Sequence, residues 1–79
     1  MSDLFNNYLQ DLVYLIKENY NDVITTSETA NEIDKTFYQG QELAYYSVLS
    51  LIEHQLIVFD GQNQLIGKIV PQIGKKAEL

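Results

Sequence analysis

The sequence predicts an all-α fold: an antiparallel helical hairpin with a short C-terminal extension, doubled by self-association into a four-helix bundle. Three observations predict it. Apolar residues recur at helical spacing in two long segments. The sole Pro stands near the C-terminus, at Pro71. The segment between the two periodic stretches is rich in helix-starting signals. With 79 residues the chain makes one domain, 1–79, of a size that buries a small share of its surface on folding. It has no Cys, so neither a disulfide framework nor a thiolate metal site is available to staple it. Oligomerisation is the remaining common device for a domain this small.

Helix 1 is predicted over about residues 3–24. Leu4, Phe5, Tyr8, Leu9, Leu12, Leu15, Ile16 and Tyr20 fall on one stripe, and Ser2 or Asp3 can cap the first turn. The end is expected in "NYNDVITTSE", where Asn, Asp and the β-branched residues Val23, Ile24, Thr25 and Thr26 lower helix propensity together. Thr25 with Glu28 and Thr29 with Glu32 make overlapping capping boxes. Helix 2 therefore spans about 27–60, and the short connection makes the helices antiparallel neighbours. A helix of about 32 residues reaches roughly 48 Å and one of about 21 only roughly 32 Å, so a lopsided hairpin is expected. Asp60-Gly61 reads as a stop, with Gly61 in the left-handed position. The extension, 61–79, is expected to form a helical turn near Gln62 to Ile66 and then fold back on the hairpin. A β-hairpin around Asp60-Gly61 is the rival reading.

Helix 2 carries two apolar stripes. The first, Ile33, Phe37, Gly40, Ala44, Val48, Leu51, Gln55 and Val58, is assigned to helix 1, with Gly40 and Ala44 marking a close helix contact. The second, Tyr38, Tyr45, Leu49, Ile52, Leu56 and Phe59, is assigned to an interface with a second copy. One facing helix cannot bury both. Left open, the second stripe would form a patch of several hundred Å², near the upper limit for monomers.

Composition excludes several function classes. The net charge is −6, with five Lys, no Arg and eleven acidic residues, which repels a phosphate backbone and lacks the bidentate base-reading side chain. No nucleic-acid partner is expected. Residues 1–25 carry −3, 26–60 carry −5 and 61–79 carry +2. No membrane segment is expected, because polar residues interrupt Leu43 to Val58. The opening "MSDLFNNYLQ" lacks the basic and apolar regions of a secretory signal, and a cytoplasmic protein is expected.

No constellation rises to a catalytic or metal motif, so no enzyme activity and no cofactor are expected. His54 is the only His, and neighbouring Glu53 points about 100° away on a helix. Neither E-x-x-H nor H-E-x-x-H is present. Glu28, Glu32, Glu42 and Glu53 read as a solvated face, and Lys75-Lys76 as a solvated terminus. Tyr45 and Tyr46 read as rings at the rim of an interface. Ser47 and Ser50 have no base beside them.

The segment "YQGQELAYYSVLSLIEHQLIVF" holds Gly40, Ala44, Tyr45, Tyr46, Val48, Leu49, Ser50 and, after the run, Phe59. It resembles a long helix of short, uncharacterised bacterial proteins with a G-x-x-x-A-Y-Y-x-V-L/I-S core. The resemblance covers about a third of the chain. It implies a helix through Phe59 and no activity. The function expected is that of a non-catalytic, homodimeric interaction protein. The alternative is a small acidic inhibitor or antitoxin-like protein that binds a basic protein partner.

Overall fold

The computed structural model describes residues 3–79, so the capping role expected for Ser2 lies outside the described residues. Helix α1 runs Asp3–Glu28 and α2 runs Glu32–Phe59. They pack against each other as a hairpin, and the described residues contain no strand. Segment 60–79, which is neither helix nor strand, lies along the pair as a strap. The molecule measures 45 × 20 × 15 Å.

The connection between the helices falls later than the capping boxes predict. α1 passes through Val23–Thr26 because Ile24 is buried there, and the Thr26 hydroxyl donates to the Asp22 carbonyl at 2.9 Å, inside the helix. Tertiary burial outweighs the local cost of β-branching, which is only tenths of a kcal/mol per residue. Neither Thr25 nor Thr29 caps α2. Asn31 does, from an extended backbone (φ −72°, ψ 173°), its Oδ1 accepting from the Asp34 N–H at 2.8 Å. Glu32 and Asp34 place negative charge on the helix's positive end. The helices are thus 26 and 28 residues long, and the expected overhang of α2 is absent.

At its other end α2 closes with the Asp60 N–H on the Leu56 carbonyl at 2.7 Å. Gly61 is not left-handed: among the described residues those at positive φ are Gly67 (84°) and Gly74 (81°). The chain leaves the helix through Asp60 itself (φ −153°, ψ 77°). The helical turn expected at Gln62 to Ile66 is instead a run of turns, with Asn63 N–H on Asp60 O at 2.9 Å and Ile66 N–H on Asn63 O at 3.2 Å. The Asn63 side chain accepts from the Leu65 N–H at 2.8 Å.

The three side chains buried most fully come one from each part: Tyr20 of α1, Leu49 of α2 and Ile69 of the strap. One cluster joins Leu9, Val13, Leu49, Leu56 and Ile69. The other joins Tyr20, Ile24 and Ala77, with Tyr45 and Tyr46 packed on it. The strap therefore completes a core that two helices alone leave open on one side.

Candidate functional site

Polar side chains of both helices hold the strap by its backbone. From α1, Lys17 Nζ donates to the carbonyls of Lys68 (2.9 Å) and Glu78 (3.2 Å), and the Tyr20 hydroxyl to that of Lys75 (2.7 Å). The Asn21 amide grips Ala77 at both ends, donating to its carbonyl at 3.0 Å and accepting its N–H at 2.7 Å. From α2, Glu53 Oε2 accepts the N–H groups of Gly67 (3.0 Å) and Ile69 (3.4 Å). Glu53 is therefore a clasp rather than part of a solvated face. The backbone around Lys75 is docked, which corrects the reading of a solvated terminus. Burial pushes the Tyr20 hydroxyl above its ordinary pKa of 10.0, and the Glu42 carboxylate and Tyr46 phenol add to the shift. A charged phenolate there would lose both water and its acceptor.

The two stripes of α2 are occupied in the reverse of the expected order. Leu49 and Leu56 are buried inside the chain by α1 and the strap, Tyr38, Tyr45 and Ile52 are partly covered, and of the expected interface set only Phe59 stands exposed. Leu49 has no surface left to offer a second copy, and Leu56 shows only an edge in the groove between the helices. The stripe assigned to α1 faces outward instead. Its members Ile33, Phe37, Gly40, Ala44, Val48, Leu51, Gln55 and Val58 are all exposed, as are Ser47 and His54 beside them. Ile33, Phe37, Leu51 and Val58 leave between 61% and 84% of their surface open. Two positions apart on a helix is a turn of about 200°, so Leu51 lies opposite Leu49. Gly40 makes no close contact within the chain: a Cβ built on it meets nothing within 4 Å.

This outward face has a regular construction. Phe37, Ala44, Leu51 and Val58 are seven residues apart, as are Ile33, Gly40, Ser47 and His54. The two series alternate at four and three residues, the spacing of a helix-to-helix seam. The flanking positions between Thr36 and Val58 are Thr36, Gln41, Leu43, Val48, Ser50, Gln55 and Ile57, none of them charged. The charged residues of that stretch, Glu42 and Glu53, lie on the strap side and are partly covered. At one edge the face runs into an apolar groove of about 510 Å³ between the helices, lined by Phe5, Leu9, Leu51, Ile52, Gln55, Leu56 and Phe59. Phe37, largely exposed, meets its neighbour Tyr38 ring to edge, at 5.4 Å between centroids.

A second cleft, of about 540 Å³, is polar, lined by Asp3, Asn6, Asn7, Gln10, Asp60, Gln62, Asn63 and Gln64. It contains carboxylates and amides but no nucleophile paired with a base. Among the described residues no group of three His, Asp or Glu could hold a metal ion. Among the same residues no helix is long and apolar enough to cross a membrane. Comparison with known proteins adds no assignment: no family model, curated protein or solved structure significantly matches the chain.

Proposed function

We propose that the chain is a small, non-catalytic cytoplasmic interaction protein that self-associates through the outward face of α2, placing four helices in the dimer. One observation carries this reading: an exposed, mostly apolar face runs from Ile33 to Val58 and is free of charge from Thr36 to Val58, about 33 Å of helix. A solvated helix normally shows polar and charged residues on its outer side, and an exposed apolar surface of this extent marks a site of association. Burying Ile33, Phe37, Leu51 and Val58 on two copies is worth on the order of ten kcal/mol at roughly 1.5–3 kcal/mol for each fully covered side chain. Association costs about 4–15 kcal/mol in lost freedom, so the equilibrium falls where concentration matters.

The test is molar mass by light scattering or sedimentation over a dilution series, repeated with Leu51→Glu. The expected result is a mass that rises to twice the chain's 9.1 kDa with concentration. The variant should stay monomeric with its helix content intact. A single-chain mass at every concentration up to about 1 mM, where only binding weaker than about 4 kcal/mol escapes, would reject the reading.

A further inference from the structure

We infer that the partner on this face is a second copy of the same chain, its α2 antiparallel to the first and in a single register, with Leu51 of each copy seated over Gly40 of the other. The inference rests on the proposed self-association and specifies its geometry. The eight seam positions are symmetric about the point midway between Tyr45 and Tyr46. An antiparallel pairing centred there sets Ile33 against Val58, Phe37 against His54, Gly40 against Leu51 and Ala44 against Ser47, with no seam residue left over.

Side-chain size makes that register self-complementary. The central layers are small on both sides, Ala44 with Ser47, which lets the helix axes approach. In the next layers a large side chain, Leu51, meets a position with no side chain, Gly40, whose surroundings within the chain are empty. Farther out, Phe37 enters the hole that Leu51, His54, Gln55 and Val58 form on a facing helix. Leu51 and Gln55 of that hole also line the apolar groove between α1 and α2, so an exposed ring meets an unfilled cleft.

Other arrangements leave one of these features unsatisfied. Sliding the antiparallel pair by one heptad leaves either His54 and Val58 or Ile33 and Phe37 uncovered. A parallel pair stacks Gly40 on Gly40, which leaves a void. It also brings Glu32 and Asp34, both in the first turn, against their own copies. The antiparallel pair separates those acidic ends by the length of the helix, and flanks free of charge from Thr36 to Val58 let two chains of net charge −6 approach along the seam. Because flanking ion pairs are absent, register is set by size rather than by charge.

The chain lacks Cys, so introduced thiols report the register without background. Ala44→Cys and Ser47→Cys are prepared separately, mixed and mildly oxidised. The expected product is a disulfide-linked dimer in the mixture and little in either variant alone. Linking of Ala44→Cys to itself, as strongly as in the mixture, would overturn the antiparallel arrangement. A dimeric mass with no linkage would overturn the register while leaving self-association standing. A monomeric mass for the unaltered chain would remove both. Independently, Gly40→Leu should fold with unchanged helix content, since nothing in the chain occupies that space, yet self-associate at least about tenfold more weakly because Leu51 loses its seat. Undiminished association of Gly40→Leu would reject the seating.

Discussion

The two sides of α2 are made of similar side chains and differ in what covers them. The side bearing Leu49 and Leu56 is closed by α1 and the strap, and it also holds the carboxylates of Glu42 and Glu53. The side bearing Leu51 and Val58 is open and carries no charge between Thr36 and Val58. Between Thr36 and Val58, charge is thus found on the side of α2 that is covered and absent from the side that is bare. A carboxylate tolerates a covered site when backbone N–H groups meet it, as Gly67 and Ile69 meet Glu53. A bare face gains nothing from lacking charge unless something lies against it.

The sharpest way to break this comparison is to truncate the same residue type on each side. Leu49 is fully buried, so Leu49→Ala should cost about 2–5 kcal/mol in denaturant unfolding, from lost transfer energy and the cavity left behind. Leu51→Ala should change the stability of the dilute monomer by no more than about 0.5 kcal/mol, while weakening self-association. Comparable losses in dilute solution would show that the two sides are not distinct.

The same contrast explains which parts of the fold could be read in the sequence. Two helices and the presence of two apolar stripes follow from the 3–4 spacing, their antiparallel order follows from the short connection, and the structure has all three. The direction of each stripe does not follow, because periodicity fixes which residues share a face and not what the face meets. Gly40 and Ala44 looked like a contact with α1, whereas that contact falls on Leu49 and Leu56. The strap was readable only as far as its fold-back. It is held through backbone groups of residues 67–78, so its own side chains carry little trace of the clasp. Lys17, Asn21 and Glu53 have the ordinary look of helix-surface residues, and only the partners 14 or more positions away reveal their role. The loop lies later than its local signals indicate for a third reason, since burial of Ile24 overrides the signals that favour an earlier turn.

Loosening the strap separates its contribution from that of α1. Glu53→Gln keeps the size of the side chain but removes the charge from two hydrogen bonds, and charged hydrogen bonds contribute about 1.5–3 kcal/mol each when intact. A stability loss of roughly 1–2 kcal/mol is expected, with faster hydrogen exchange at Gly67 and Ile69 and little change at Phe37. A smaller loss, about 1 kcal/mol, is expected for Tyr20→Phe, which deletes the bond to the Lys75 carbonyl. The pH dependence gives this variant a second signature. The hydroxyl pKa is raised in the folded state, so above the unfolded value of 10.0 the native chain retains a proton that the unfolded chain releases. Its contribution is fully present below pH 10 and is lost as pH rises through the folded value. Tyr20→Phe should show a shallower loss of stability over that alkaline window. An identical slope for both proteins would place the alkaline sensitivity elsewhere.

The smallest expected change is the most discriminating, because the two states of the chain respond with opposite sign. Gly40 lies in the interior of α2, where Gly costs up to about 1 kcal/mol relative to Ala, and an added methyl meets no atom of its own chain. Gly40→Ala should therefore raise the unfolding free energy of the dilute monomer by up to about 1 kcal/mol. If the residue serves only the single chain, nothing opposes that gain and the variant should be more stable at every concentration. If the position receives Leu51 from a second copy, the methyl intrudes on the seam and self-association weakens as the monomer strengthens. Denaturant unfolding in dilute solution and sedimentation in concentrated solution measure the two effects separately. Stabilisation in the first with unchanged association in the second would leave Gly40 without a role on the open side of α2.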